Sequence, residues 1–155
     1  MEIIRASGAD LGDVLKLLSA VELPHDGVSD YFADFFVMRE ANGSLLACGG
    51  LERHGELALL RSVAVRPDSH RGGLGAQIAT AILDEAARNN VRTVVLFTTT
   101  ARDFFARQFG FVETTRSEFE PRLKSSPEWK LPRCASAVVM ELDLTDYASA
   151  RAANH

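Results

Sequence analysis

The chain is poor in cysteine, tryptophan and tyrosine, and it has no long apolar run. Its two cysteines, Cys48 and Cys134, stand far apart and form no C-x-x-C pair. That excludes a dense disulfide framework and predicts a reduced, cytoplasmic protein with two free thiols. The four histidines, His25, His54, His70 and His155, show no i,i+4 ligand spacing, so no metal site is expected. No segment is apolar for the length that a bilayer demands, which argues against a membrane partner. The opening Met-Glu-Ile-Ile-Arg lacks the basic-then-apolar pattern of a signal peptide. A formal charge of −4 leaves no basic footprint for nucleic acid or an anionic membrane surface. Internal repeats and low-complexity tracts are absent. What remains is ordinary for a globular chain: 155 residues, 46% hydrophobic and 25% charged. A single domain with a substantial core is expected over residues 1–144. Residues 145–155 read as a small, polar tail that frays or forms a short helix.

One stretch organises the rest: L-L-R-S-V-A-V-R-P-D-S-H-R-G-G-L-G-A, from Leu59 to Ala76. Residues 59–65 are apolar and β-branched apart from Arg61 and Ser62, and read as a buried strand. Arg66-Pro67 ends it, because proline lacks the N–H that a ladder needs. His70-Arg71-Gly72-Gly73-Leu74-Gly75 is a basic, glycine-rich turn. From Leu74 the period changes: Leu74, Ile78, Ala81 and Ile82 share one helical face. Strand, glycine turn and helix mouth together suit a phosphate or pyrophosphate, because the helix aims free N–H groups and partial positive charge at the turn. A turn whose glycines serve packing alone is the competing reading. The dinucleotide spacing G-x-G-x-x-G is missing, and so is the lysine of a Walker loop.

The remaining pattern is an antiparallel meander followed by helix and strand in alternation. Residues 2–6 form a first strand. Ser7 and Asp10 resemble a capping box ahead of a helix to about residue 21, with Leu11, Val14, Leu15, Leu18 and Val21 in its stripe. Residues 23–29 read as a loop. Residues 35–40 and 45–54 are strands joined by Asn42-Gly43, a hairpin signal. Gly49-Gly50 suggests a bulge or a close approach in the second of them. A turn at His54-Gly55 leads into the organising strand. Residues 91–97 are another buried strand, expected parallel to the organising strand and beside it. Residues 101–109 form a short helix, residues 117–126 another despite Pro121, and residues 135–144 the last strand. Trp129 lies in a proline-bounded loop.

The organising unit resembles the acyl-CoA loop of the GCN5-related N-acetyltransferase (GNAT) superfamily. Val63-Ala64-Val65-Arg66-Pro67 matches its V-A-V-x-P, and Gly73-Leu74-Gly75-Ala76 matches the G-x-[G/A] that follows. In strict register His70 stands where glutamine or arginine is usual, and Arg71 where glycine is common. The strand, aromatic helix and Gly110-Phe111 step also resemble the superfamily's second half, although the tyrosine often used there as general acid is replaced by Ala106 or, one register over, Phe105. Three shorter stretches resemble small N-acetyltransferases linked to arsenic resistance, and glutamate-acetylating enzymes share the Arg61-Ser62-Val63-Ala64-Val65 and Phe104-Phe105 features among them. The stretches are Ala58 to Val65, Thr98 to Phe105, and Cys134 to Met140, with Ala135 where proline is common.

The resemblance implies an α/β fold, a twisted mixed sheet flanked by helices on both faces. It implies transfer of acetyl from acetyl-CoA to the amine of a small molecule, with no metal. Cofactor contacts would come from Val63, Ala64, Val65, His70, Arg71, Gly72, Gly73, Leu74, Gly75, Ala76 and Phe104. The amide of Ala64 or Val65 would polarise the thioester carbonyl. Arg61 and Phe105 are the expected acceptor contacts, the guanidinium fork clamping an amino-acid carboxylate. Arg61 reads equally as half of a structural ion pair, since a buried cation needs a partner. Core packing is the competing reading of Phe104, Phe105 and Phe109, and the favoured one for any single ring. Glu52 and Glu56 are expected on solvated faces, and no general base is assigned. Cys134 and Ser136 are the candidates for proton donation to the departing thiolate. A protein or peptide N-acetyltransferase and a catalytically silent CoA-binding sensor stay open, as does a homodimer.

Overall fold

The computed structural model describes residues 2–69, 72–131 and 137–153. Seven strands form one mixed sheet: β1 (Ile3–Arg5), β2 (Phe35–Arg39), β3 (Leu45–His54), β4 (Leu57–Val65), β5 (Thr93–Thr98), β6 (Val112–Thr114) and β7 (Val138–Asp143). Their order across the sheet is β1-β2-β3-β4-β5-β7-β6. Among the described residues five α-helices flank it: α1 (Leu11–Ala20), α2 (Leu74–Arg88), α3 (Arg102–Phe109), α4 (Arg116–Leu123) and α5 (Leu144–Ala153). The expected mixed sheet is therefore present, and β4 and β5 are parallel neighbours, with Leu57 to Leu59 registered against Thr93 to Val95.

The chain divides into two compact units. The first comprises Met1–Glu52 and Leu60–Leu83, the second Arg53–Leu59 and Asp84–His155. In the first unit, β1, β2 and β3 pair antiparallel in sequence order. Gly43 takes φ +91° in the hairpin between β2 and β3, a conformation that costs a residue without Cβ little. The cap before α1 forms as its sequence suggests, with the Ser7 N–H donating to Asp10 Oδ2 at 2.8 Å. That bond, followed by the Arg39 guanidinium, holds the Asp10 carboxyl below its usual range against the opposing effect of burial. Val14, Leu17 and Leu18 of α1 pack with Val28, Phe32, Phe35, Val37, Cys48 and Ala64 into one apolar core. In α2, Leu74, Ile78 and Ile82 are buried as expected, while Ala79 and Leu83 join them and Ala81 is only half-buried.

In the second unit, β7 lies between β5 and β6 and runs antiparallel to both. Strand β6 has no counterpart in the sequence analysis. It is a three-residue edge strand with Val112 more than half exposed, too short for a periodic signal. Helix α4 runs through Pro121 as expected. The tail resolves into α5, whose Tyr147 stacks 6.4 Å from Phe109 and whose Arg151 pairs with Asp84 at 3.0 Å. Arg116 lies over the rings of both Trp129 and Phe97, 4.2 Å and 5.2 Å from their centroids, and so fixes the proline-bounded loop. Among the described residues no helix is long and apolar enough to cross a membrane.

The Gly49-Gly50 pair in β3 reflects close approach. Gly50 faces Phe35 across the ladder, and a Cβ there would overlap the Phe35 ring. At Gly49 a Cβ would stand 2.8 Å from Ile82 Cδ1, the movable end of a side chain. Gly50→Ala is therefore expected to destabilise the protein by about 1–3 kcal/mol through overpacking. Gly49→Ala should fall at or below the low end of that range, and paired urea titrations of the two variants check the order.

Candidate active site

Ser62 adopts φ +61° in the middle of β4. A side-chain-bearing residue there costs about 1–3 kcal/mol and persists only where its surroundings enforce it. The distortion breaks the alternation along the strand. Neighbouring side chains of a regular strand point to opposite faces, yet Arg61 Nε donates to Ser62 Oγ at 3.0 Å. The Ser62 carbonyl accepts from the Cys48 thiol at 3.3 Å.

The expectation of Arg61 as an acceptor clamp is corrected as well. Its side chain and that of Glu52 are both 0% exposed, with Nη1 3.6 Å from Glu52 Oε2. Nη1 also donates to the Asp26 carbonyl at 2.6 Å, and Nη2 to the Pro24 carbonyl at 3.3 Å. A guanidinium so enclosed and so engaged does not present its fork to a ligand, and the structural ion pair is what forms. Glu52 is likewise no solvated residue, because β3 is buried along its first eight positions. Glu56, with 70% of its side chain exposed, does sit in solvent. Burial, then the charges of Glu52 and Asp30, push the Tyr31 phenol above its usual range while Arg61 opposes them. Tyr31 therefore stays protonated at neutral pH.

Past Val65 the chain turns. The Arg66 N–H donates to the Leu46 carbonyl at 2.8 Å, and the Ser69 N–H returns to the Arg66 carbonyl at 3.0 Å. The Arg66 side chain pairs with Asp68 at 2.6 Å and Glu40 at 3.3 Å. Gly73 takes φ +80°, and neither Gly72 nor Gly73 has a heavy atom within 4 Å of where a Cβ would stand. Helix α2 opens directly after them, its Gln77 N–H bonding the Gly73 carbonyl at 3.0 Å. The amides of a helix's first turn have no acceptor within the helix and mark its positive end. Leu74, Gly75 and Ala76 occupy that turn. His70 and Arg71 lie outside the described residues, as do Cys134 and Ser136.

The profile of the acetyltransferase (GNAT) family matches residues 14–111, a span that contains the strained strand, the turn and α2. The chain belongs to that family. As a GNAT N-acetyltransferase it uses acetyl-CoA as acetyl donor. Solved structures agree on the fold. A Mycobacterium tuberculosis protein in complex with CoA is 22% identical, with a TM-score of 0.74 over 92% of this chain and 99% of that one. A GNAT acetyltransferase from Staphylococcus aureus is 14% identical, with a TM-score of 0.74 over 92% of this chain and 98% of that one. N-acetylglutamate synthase from Neisseria gonorrhoeae, solved with coenzyme A and N-acetyl-glutamate, is 16% identical with a TM-score of 0.73. It aligns over 92% of this chain but only 35% of its own length. No curated protein sequence matches the chain.

The aromatic residues of this GNAT chain divide by burial. Phe105 is 8% exposed and packs edge-on to Phe104 and Phe111, at 5.0 Å and 5.7 Å between centroids. It belongs to a cluster with Phe109 and is core, which corrects its assignment to the acceptor. Phe104 is only half-buried. Helix α3 begins where the Ala101 N–H bonds Thr98 Oγ1 at 2.8 Å, and ends at Gly110 with φ +84°. Sequence reasoning missed two features of the site. The left-handed Ser62 left no signal, since serine carries no mark of positive φ. Glu52 had one: an acid directly after the seven apolar or small residues 45–51 is placed to need a cation, and Arg61 was available.

Burial pushes the Cys48 thiol up to about 12, against the opposing effect of the Ala64 backbone hydrogen bond. Below pH 10 Cys48 thus remains a thiol. Its alkylation by iodoacetamide at pH 8.5 is expected to be at least about 100-fold slower in the native protein than in urea, where the thiol returns to its ordinary range. Peptide mapping separates Cys48 from Cys134.

Proposed function

We propose that this chain transfers acetyl from acetyl-CoA to the amine of a small amino acid or amino-acid analogue, using β4 and the turn into α2. The observation that carries the reading is the left-handed Ser62, set immediately before Val63-Ala64-Val65. A break in the ladder there can release backbone N–H groups, and the amide of Ala64 or Val65 would polarise the thioester carbonyl. Gly72 to Ala76 would hold the pyrophosphate at the mouth of α2. Gly72 and Gly73 fit that use, since the space beside each is open. His70 and Arg71 complete the proposed cofactor contacts of this turn. Acetyl-CoA supplies the reactive thioester. The amine attacks its carbonyl carbon, the C–S bond breaks, and the thiolate takes up a proton. Holding both reactants in place accounts for much of the acceleration such a reaction needs.

A small acceptor is favoured over a peptide by the loop at residues 24–26, which two hydrogen bonds tie down against β4. The amino-acid class is supported by likeness to an N-acetylglutamate synthase solved with N-acetyl-glutamate. Acetyl-CoA-dependent thiol release across a panel of free amino acids and amines tests the reading. Turnover of none of them, with acetyl-CoA bound, would favour the sensor instead.

The turn makes a sharper test possible at Gly72, whose side-chain space is open and whose φ is not left-handed. Gly72→Ala is expected to keep acetyl-CoA affinity. Gly72→Asp should lose at least about tenfold through a carboxylate set against phosphate, without loss of thermal stability. Calorimetric titration of both variants decides it, and equal affinities would remove the turn from the cofactor site.

A further inference from the structure

We propose that Arg61 and Glu52 are positioning residues: one buried guanidinium clasps the loop at residues 24–26 to the strained residue of β4, and so sets the acceptor side of the site. The inference rests on the acetyl-transfer reading for its kinetic consequence, but the clasp itself does not. Three groups converge on the side chain. Nε holds Ser62 Oγ at 3.0 Å, Nη1 the Asp26 carbonyl at 2.6 Å, and Nη2 the Pro24 carbonyl at 3.3 Å. Glu52, on the neighbouring strand, supplies the countercharge at 3.6 Å.

The loop is separated from Arg61 by 35 residues at Asp26 and 37 at Pro24, yet its backbone carbonyls lie within hydrogen-bond reach of a side chain rooted one position before Ser62. The segment proposed to polarise the thioester begins one residue after Ser62. The loop backbone is therefore close to the acetyl end of the reaction, where the amine must arrive. A planar fork satisfies several acceptors in fixed directions, and here it holds two carbonyls of one loop at once. The same fork bonds the residue that carries the strand's left-handed φ. Loop position and strand distortion thus share one anchor. Without it the loop loses two of its hydrogen bonds, while the turn at Gly72 and Gly73 loses nothing.

Two variants separate the clasp from general stability. Arg61→Lys keeps a charge for Glu52 but has no planar fork to span the three acceptors. The double variant Arg61→Met with Glu52→Met replaces the buried pair by apolar groups, an exchange that a core can accept without unfolding. Both are expected to raise KM for the acceptor at least about tenfold, the scale of losing a charge-assisted hydrogen bond, with KM for acetyl-CoA changed less than about twofold. Hydrogen exchange should quicken at residues 23–31 and stay unchanged in α2. Unaltered exchange in that loop in both variants overturns the clasp. Faster exchange with equal rises in both KM values overturns its acceptor role. If the wild-type protein transfers acetyl to nothing, the exchange measurement still decides the clasp, and only the functional reading fails.

Discussion

A cation buried beside a strand imposes obligations that the first unit of this protein is built to meet. The Arg61 guanidinium has no exposed surface, so each of its donors must find a partner inside the protein. Glu52 answers the charge from β3, and the carbonyls of Pro24 and Asp26 answer the remaining donors from a loop far away in sequence. Such a pair adds little net stability, because desolvation offsets its attraction, but loss of one partner alone costs about 3–5 kcal/mol. The pair therefore acts by specifying an arrangement: β3, β4 and the loop must take their places together or leave a charge unanswered.

That arrangement also holds the distortion at Ser62. A left-handed serine in a strand is unfavourable by itself, and two contacts pin it, one from Arg61 to its hydroxyl and one from Cys48 to its carbonyl. Cys48 in turn lies in the apolar core with Val37 and Ala64, which keeps its thiol protonated and able to donate. The strand can then depart from a regular ladder just before Val63-Ala64-Val65. Downstream the requirement is the reverse. Neither Gly72 nor Gly73 has a heavy atom within 4 Å of where a Cβ would stand, so the turn into α2 is uncrowded on that side. One end of the unit is tightly tied and the other left accessible.

The meander was legible in the sequence because its signals are local. Asn42-Gly43 marked the hairpin, Ser7 and Asp10 the start of α1, and the change from strand to helical period the passage from β4 to α2. The Gly49-Gly50 pair was legible as a close approach, although the ring of Phe35 and the side chain of Ile82 that require it come from other elements. Edge strand β6 was not, since three residues carry no periodicity. Phe104 and Phe105 could not be told apart, because adjacent phenylalanines on a short helix differ only in which one the fold covers.

Family membership was readable from contiguous residues alone. Val63-Ala64-Val65-Arg66-Pro67, the glycine turn and the helix after it are contiguous, and contiguous residues carry their own geometry wherever the chain goes. The fates of Arg61, Glu52 and Ser62 were decided only by tertiary structure. Arg61 showed that a buried cation must have a partner, but the choice between a carboxylate of the chain and one of a ligand depends on which residues arrive from a distance. The loop at Pro24 and Asp26 arrived, with Glu52 beside it, and closed over the guanidinium. The left-handed φ of Ser62 has the same origin, since a strained dihedral is a property of what surrounds a residue and serine itself gives no sign of it.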